Sequence, residues 1–232
     1  MRNILGIFYL ASLVLFPSAA HCGTAEWFRT LGLPCPENGT VLLGDDGDLS
    51  RLEMEKDGGE VTWEERDGVL TVGKGDVVTR KDYGDMRLHV EFKLPKTNKN
   101  WKNDGNSGLY IQQRYEVQIL NSHGRELRMV DCGALYRQRT PDVNACLPVG
   151  EWQTFDILFH QPRWNKDGEK IKNARISVML NGVMIHNDVE IPNKTGVGKQ
   201  EGPEKRPLRL QHHGNPVQFR NIWIVDLEEA TE

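Results

Sequence analysis

Beyond Phe16 the sequence has no apolar run approaching the roughly 20 residues that a membrane-spanning helix needs. The one long apolar stretch, Ile4 to Phe16, follows Arg2 and precedes Pro17-Ser18-Ala19-Ala20. A short basic region, an apolar core and small residues at a cleavage site make up the layout of a secretory signal peptide. Residues 1–20 are therefore expected to direct export, to the periplasm or the cell exterior, with cleavage near Ala20 and no membrane span in the mature chain. Cys22 would suit a lipoprotein, but His21 stands where a small residue would precede a lipidated cysteine. Basic excess is also missing. With 29 Lys and Arg against 33 Asp and Glu the formal charge is −4, or −5 once Arg2 is removed, which argues against nucleic acid as a partner.

Cysteine is sparse, with four in the chain, and none lies in a CxxC pair or beside a His and an acid in a nucleophile pattern. In an oxidising compartment four cysteines allow two disulfides in three pairings. The local pairing, Cys22–Cys35 with Cys132–Cys146, is the expected one. Helical periodicity is scarce too; only Ala25 to Leu33 could hold a short helical turn. Internal repeats and low-complexity linkers are absent.

What remains reads as strand after strand. Val61–Val72 is broken at Asp67-Gly68, as in a hairpin, and Arg175–Ile185 folds at Asn181-Gly182. Met86–Leu94 alternates, with Leu88, Val90, Phe92 and Leu94 on one face and Arg87, His89, Glu91 and Lys93 on the other. Residues 106–122, NSGLYIQQRYEVQILNS, alternate when laid out as a strand: Tyr115, Val117 and Ile119 against Arg114, Glu116 and Gln118. Trp152–His160 follows, and residues 207–227 give two more strands around Gly214-Asn215-Pro216. Many strands, tight turns and no βαβ rhythm indicate an all-β protein, an antiparallel two-sheet sandwich of the jelly-roll type. One domain is expected over residues 61–228, with 21–60 an N-terminal extension.

Candidate chemistry sits where polar residues repeat at period two: His89-Glu91-Lys93, Arg114-Glu116-Gln118, Arg209-Gln211-His213, and Gln218 with Arg220. Such sets can be an ordinary wetted sheet face. With aromatics such as Tyr110 and Trp101 they also suit a sugar site, where polar groups bond hydroxyls and rings stack on C–H surfaces. His212 and His213 would point to opposite faces of a strand, and His213, on the polar face, is the better candidate. No HxH or HExxH spacing exists, so a metal would need ligands from separate strands. YEVQIL resembles the E-x-D-x-x-E active strand of sandwich-fold β-glucanases, but Gln118 replaces the middle acid. Glycoside hydrolysis through an oxocarbenium-like state usually requires two flanking carboxyl groups. One glutamate does not meet that requirement.

GNSGLYIQQRYEVQILNS, the preceding YGDMRLHVEFKLP and the closing PLRLQHHGNPVQFRNIWIVDL resemble the 3-keto-disaccharide hydrolase domain family, from about Thr62 to Leu227. The resemblance implies a concanavalin A-like jelly roll acting on 3-keto-glycosides, a carbohydrate substrate that a separate oxidoreductase would supply, since no nicotinamide signature appears. It also accounts for the missing acid. A ketone at C3 acidifies the hydrogen on C2, and its removal can expel the C1 oxygen and leave an enone that water hydrates. Glu116 or His213 is then the candidate base, and Arg209 or Arg220 the stabiliser of the enolate. A divalent metal held by Glu116, His213 or other groups could take the arginine's place. Gln118, Gln211, Asn106 and Ser107 would orient hydroxyls, and Tyr110 would stack or donate. Glu91 and Arg220 complete the candidate substrate-binding set, unless they form an internal salt bridge. The loop with Lys96, Lys99, Trp101 and Lys102, and the insert at 161–173, either flank the site or are solvated loops. The rival readings are a noncatalytic carbohydrate-binding module and an interaction domain of the cell envelope.

Overall fold

The computed structural model describes residues 30–96 and 105–228. The expectations for the signal peptide, Cys22, most of 25–33, Lys99, Trp101 and Lys102 lie outside them. Among the described residues there are strands and no helix, so none is long and apolar enough to cross a membrane. Numbered in chain order, one sheet runs β13 (Val183–Ile191), β12 (Ala174–Leu180), β9 (Trp152–His160), β6 (Met86–Lys93), β15 (Gln218–Asp226), β4 (Val69–Thr71), β3 (Glu64–Arg66), with β1 (Thr40–Leu43) also on β15. The second runs β2 (Leu52–Met54), β5 (Val77–Thr79), β14 (Arg209–Leu210), β7 (Asn106–Ile111), β8 (Tyr115–Leu120). Pairing is antiparallel throughout. The chain is the antiparallel sandwich that its alternation implies. β1 and β2 bring residues 40–54 into the sheets, within the stretch read as an extension.

Leu88, Val90 and Phe92 of the first sheet and Leu109, Val117 and Leu210 of the second are all buried between them. Tyr115 meets Phe159 across the sandwich at 5.5 Å between ring centroids, and Phe92 stacks on Phe155 at 5.0 Å. Fully burying a side chain of this kind stabilises by about 1.5–3 kcal/mol, so these faces hold the register. The Asp67-Gly68 and Asn181-Gly182 turns have positive φ at both residues (52° and 75°, 55° and 79°), as two-residue hairpin turns matched to strand twist require.

Residues 106–122 are a hairpin rather than one strand. Gln112 and Gln113 turn the chain with φ of 52° and 53°, although neither is a usual turn residue. Tertiary bonds hold them: Gln112 Nε2 donates to the Tyr83 carbonyl at 2.9 Å, and Gln113 Nε2 to Glu55 Oε1 at 2.8 Å. Arg114 therefore leaves the polar face of β8. Its buried guanidinium donates to the carbonyls of Gln200 and Glu204, both at 2.9 Å, and pairs with the Glu204 carboxylate.

The polar set on β6 is not a wetted face either. His89 and Glu91 are buried beneath residues 30–33. Glu91 accepts from the Gly32 amide at 2.5 Å, Arg220 Nε at 2.8 Å and Asn221 Nδ2 at 3.0 Å, and Thr30 Oγ1 donates to Asp156 at 2.5 Å. Burial alone would raise the Glu91 pKa, but hydrogen bonds from His89, Asn221, Gly32 and Arg220 bring it down to about 2. Glu91 and Arg220 thus form the internal salt bridge, not a sugar clamp.

Cys35, Cys132 and Cys146 are free thiols. The expected disulfide between Cys132 and Cys146 is therefore not formed; Cys146 Sγ instead faces the Leu120 and Leu147 carbonyls, at 3.8 and 3.4 Å. The insert at 161–173 carries a short hairpin, β10 (Arg163–Trp164) with β11 (Lys170–Lys172). From it Lys170 Nζ reaches the Pro192 carbonyl and Glu201 Oε2, both at 2.6 Å.

Candidate active site

On β8 the apolar Tyr115, Val117 and Ile119 face the core, which turns Glu116 and Gln118 to the outer side of the second sheet. Register then decides their neighbours. Tyr110 of β7 lies opposite Glu116, Gly108 opposite Gln118, and Arg209 of β14 opposite Tyr110. Tyr110 Oη donates to Glu116 Oε2 at 2.7 Å. With its nitrogen toward Glu116, the Gln118 amide donates to Oε1 at 2.9 Å and to the Ser107 carbonyl at 3.0 Å. The Arg209 guanidinium lies over the Tyr110 ring, 3.8 Å from its centroid. Gln211 Nε2 approaches Tyr110 Oη at 3.4 Å. Glu116, Tyr110, Gln118, Arg209 and Gln211 form one cluster.

Gly108 is what lets the carboxylate lie flat there. A Cβ at that position would stand 2.7 Å from Glu116 Oε1 and 3.3 Å from Gln211 Oε1. A second layer covers β8. Thr195 Oγ1 accepts the Glu116 amide at 2.7 Å, and the Tyr136 amide donates to the Glu116 carbonyl at 3.2 Å. At Gly196 a Cβ would meet Tyr136 Cδ1 at 2.9 Å and Glu116 Oε2 at 3.6 Å.

Burial is the main reason why the Glu116 pKa rises, to about 7, against the lowering effects of the Tyr110 hydrogen bond and the Arg209 charge. Burial, with the charge of Glu116, also pushes Tyr110 up, so it stays a protonated donor. Arg209 sits between Glu55 Oε2 at 3.6 Å and Asp76 Oδ2 at 3.7 Å, beyond hydrogen-bond reach. Its Nε and Nη2, and Gln211 Oε1, are buried without partners. Buried polar groups are nearly always satisfied, so unpaired donors and an acceptor beside a carboxyl of shifted pKa mark a candidate ligand site.

Besides Glu91, three sequence-derived candidates fall elsewhere. Ser107 shares the core-facing side of β7 with Leu109 and donates to the Gln211 carbonyl at 2.7 Å. His213 is exposed beyond the end of β14, and among the described residues no bond joins it to Glu116 or Arg209. Arg220 belongs to the first sheet. Asn106 keeps the outer side of β7, at its far end opposite Leu120. Tyr110 is a donor, not a stacking platform, because Arg209 covers its ring. Glu55, Asp76, Tyr136, Thr195 and Gly196 carry no sequence signal, since each reaches the cluster from a distant segment; Gly108 is marked only by G-N-S-G. No group of three or more His, Cys, Asp or Glu among the described residues is arranged to hold a metal ion.

Residues 39–225 match the model of the 3-keto-alpha-glucoside-1,2-lyase-like domain. The chain belongs to this family. A crystal structure of a candidate glycosyl hydrolase from Parabacteroides distasonis is 34% identical, with 83% of this chain and 85% of that one covered and a TM-score of 0.74. Two further candidate glycosyl hydrolases from the same organism share the fold at 23% and 24% identity. Their TM-scores are 0.58 and 0.56, with 82% of this chain covered in each case and 94% and 99% of theirs. Among curated proteins none matches.

Proposed function

We propose that this family member is a glycosidic enzyme that cleaves 3-keto-glycosides by elimination followed by hydration, with Glu116 as the base. The observation that carries this reading is one buried carboxyl set against an arginine with unpaired donors. Glu55 and Asp76, the other acids in the cluster, are turned to Arg209, to Gln113 and to the His212 amide. That suits proton abstraction beside a ketone better than a two-carboxyl hydrolysis.

Glu116 takes the proton from C2, and the C–H electron pair moves into the C3 carbonyl. The enolate oxygen faces Arg209, whose Nε and Nη2, buried without hydrogen-bond partners, are available to the charge that develops. As the C3 carbonyl reforms, a C1–C2 double bond appears and the C1 oxygen leaves with a proton from the Glu116–Tyr110 pair. Water then adds its hydroxyl to C1, C2 regains a proton, and the 3-keto sugar is released. Gln118 holds the Glu116 carboxylate, and Gln211 Oε1 accepts a sugar hydroxyl. The proposal includes export, with cleavage near Ala20, and a separate oxidoreductase that supplies the ketone.

The test sets a 3-keto-disaccharide beside its unoxidised parent. The purified chain should release a reducing sugar from the first only, with a transient enone absorbance. Glycan binding without turnover would instead identify a carbohydrate-binding module.

A further inference from the structure

We infer that Lys170, in the insert at 161–173, is a positioning residue for Glu116: it clamps the segment that lies over the carboxyl and shuts water out. Its bearing on turnover rests on the reading of Glu116 as the base. In β11 Ile171 and Lys172 are exposed, whereas Lys170 is half-buried. Its Nζ donates to the Pro192 carbonyl and to Glu201 Oε2, both at 2.6 Å, and so ties both ends of one segment to the insert. The Glu201 side chain is only 8% exposed, and its other oxygen accepts from Tyr115 Oη at 2.5 Å. Tyr115 is the residue before Glu116 on β8.

Between those two ties the segment crosses Glu116. Thr195 Oγ1 accepts the Glu116 amide at 2.7 Å, and the Thr195 amide donates to the Arg114 carbonyl at 2.9 Å. A Cβ on Gly196 would stand 3.6 Å from Glu116 Oε2, so the chain passes directly beside the carboxyl. Farther on, the Lys199 amide donates to the Gln113 carbonyl at 2.8 Å, and Arg114 Nε to the Gln200 carbonyl at 2.9 Å. Without Lys170 a nearly buried carboxylate at Glu201 would lose its salt-bridge partner, and such a group recovers hydration only by moving toward water. Glu201 would draw the cover outward with it, and water would reach Glu116. Burial is the main cause of the raised Glu116 pKa, so an opened cover lowers it. The sheet groups that face Glu116, which are Tyr110 and Arg209 with Glu55 and Asp76 beside the arginine, stay in place. From the covering layer it is faced by Tyr136 and by Lys194, whose Nζ is taken up by the Gly196 carbonyl at 2.8 Å.

The experiment follows the Glu116 carboxyl carbon by NMR across pH in the wild-type chain, in Lys170→Met and in Lys170→Arg, each checked by its thermal melt. The wild-type midpoint should lie at about 7 and fall toward 4.5 in Lys170→Met, whereas Lys170→Arg, which keeps the cation, should hold it. Hydrogen exchange at the Thr195 and Glu116 amides should quicken in Lys170→Met while that of β6 is unchanged. The kcat/KM midpoint for a 3-keto-disaccharide should follow the carboxyl downward. Should Lys170→Met not fold, Lys170→Gln, which keeps a donor for the Pro192 carbonyl, takes its place with the same expected fall. A wild-type midpoint already near 4.5, one that stays in place in Lys170→Met, or one that falls equally in Lys170→Arg overturns the clamp. A carboxyl that shifts while the kcat/KM profile does not follow counts against Glu116 as the base and leaves the clamp standing.

Discussion

Tyr110 donates a hydrogen bond to Glu116 while Arg209 covers its ring, so one side chain links the buried carboxyl to the buried cation at 2.7 Å and 3.8 Å. The two charges are thereby brought close without bonding directly. A carboxylate paired outright with Arg209 would be held in the ordinary acid range. Burial instead holds the Glu116 pKa at about 7, although the Tyr110 hydrogen bond and the Arg209 charge both lower it, and Arg209 keeps two donors free.

Glu116→Gln keeps the shape of the side chain and removes the base. Turnover of a 3-keto-glucoside should fall by about 10²–10⁴, the usual contribution of a positioned base, while the fold survives. Reducing-sugar release and a thermal melt check both halves; near-full activity would end the assignment.

The pH dependence follows from the raised pKa. The base works deprotonated, so kcat/KM should climb with pH through a midpoint at about 7. Tyr110→Phe removes a bond that lowers this pKa, and the midpoint should move up. Stability runs the other way. A carboxyl whose folded pKa exceeds its ordinary 4.5 stabilises below that value, and the contribution is lost as pH rises through about 7. Glu116→Gln should therefore gain thermal stability over wild type at pH 8 more than at pH 5.

Arg209→Met tests the enolate role. Loss of a preorganised donor to developing negative charge typically costs about 10²–10³ in kcat. The substitution should also shift the kcat/KM midpoint upward, because the Arg209 charge lowers the Glu116 pKa. An arginine without the enolate role would shift that midpoint but leave the plateau kcat near the wild-type value.

Glu91 offers the contrast. Glu91→Gln should leave kcat intact and reduce stability by about 2 kcal/mol, or roughly 4–8 °C in Tm, less than a fully buried pair because Arg220 is one-third exposed. Its pKa is lowered, so the contribution is present above about 4.5 and fades as pH falls toward about 2. Melts across that window should converge for variant and wild type at the acid end.

Gly108→Ala should lower kcat without unfolding the chain. The added methyl lands 2.7 Å from Glu116 Oε1, and the carboxylate must swing away from Tyr110 or Gln118. An unchanged pH profile and rate would show that the carboxylate's position does not matter.

Period-two alternation by itself determined the sandwich, because a strand with one apolar face can bury it in only one register. It also put Glu116 and Gln118 on the face away from the core, and Asn181-Gly182 and Asp67-Gly68 at the turns, where local φ demands decide. Alternation says nothing about what covers a polar face. Glu91 and Glu116 look alike along the chain, each an acid between apolar neighbours. Residues 30–33 close over Glu91 and use up its oxygens, whereas Glu116 lies over a glycine beside an arginine with spare donors. His213 fell out because β14 ends at Leu210, and Gln112-Gln113 turned because bonds to Tyr83 and Glu55 outweighed their weak turn preference. These are contacts between segments far apart in the chain, and only the tertiary structure could decide them.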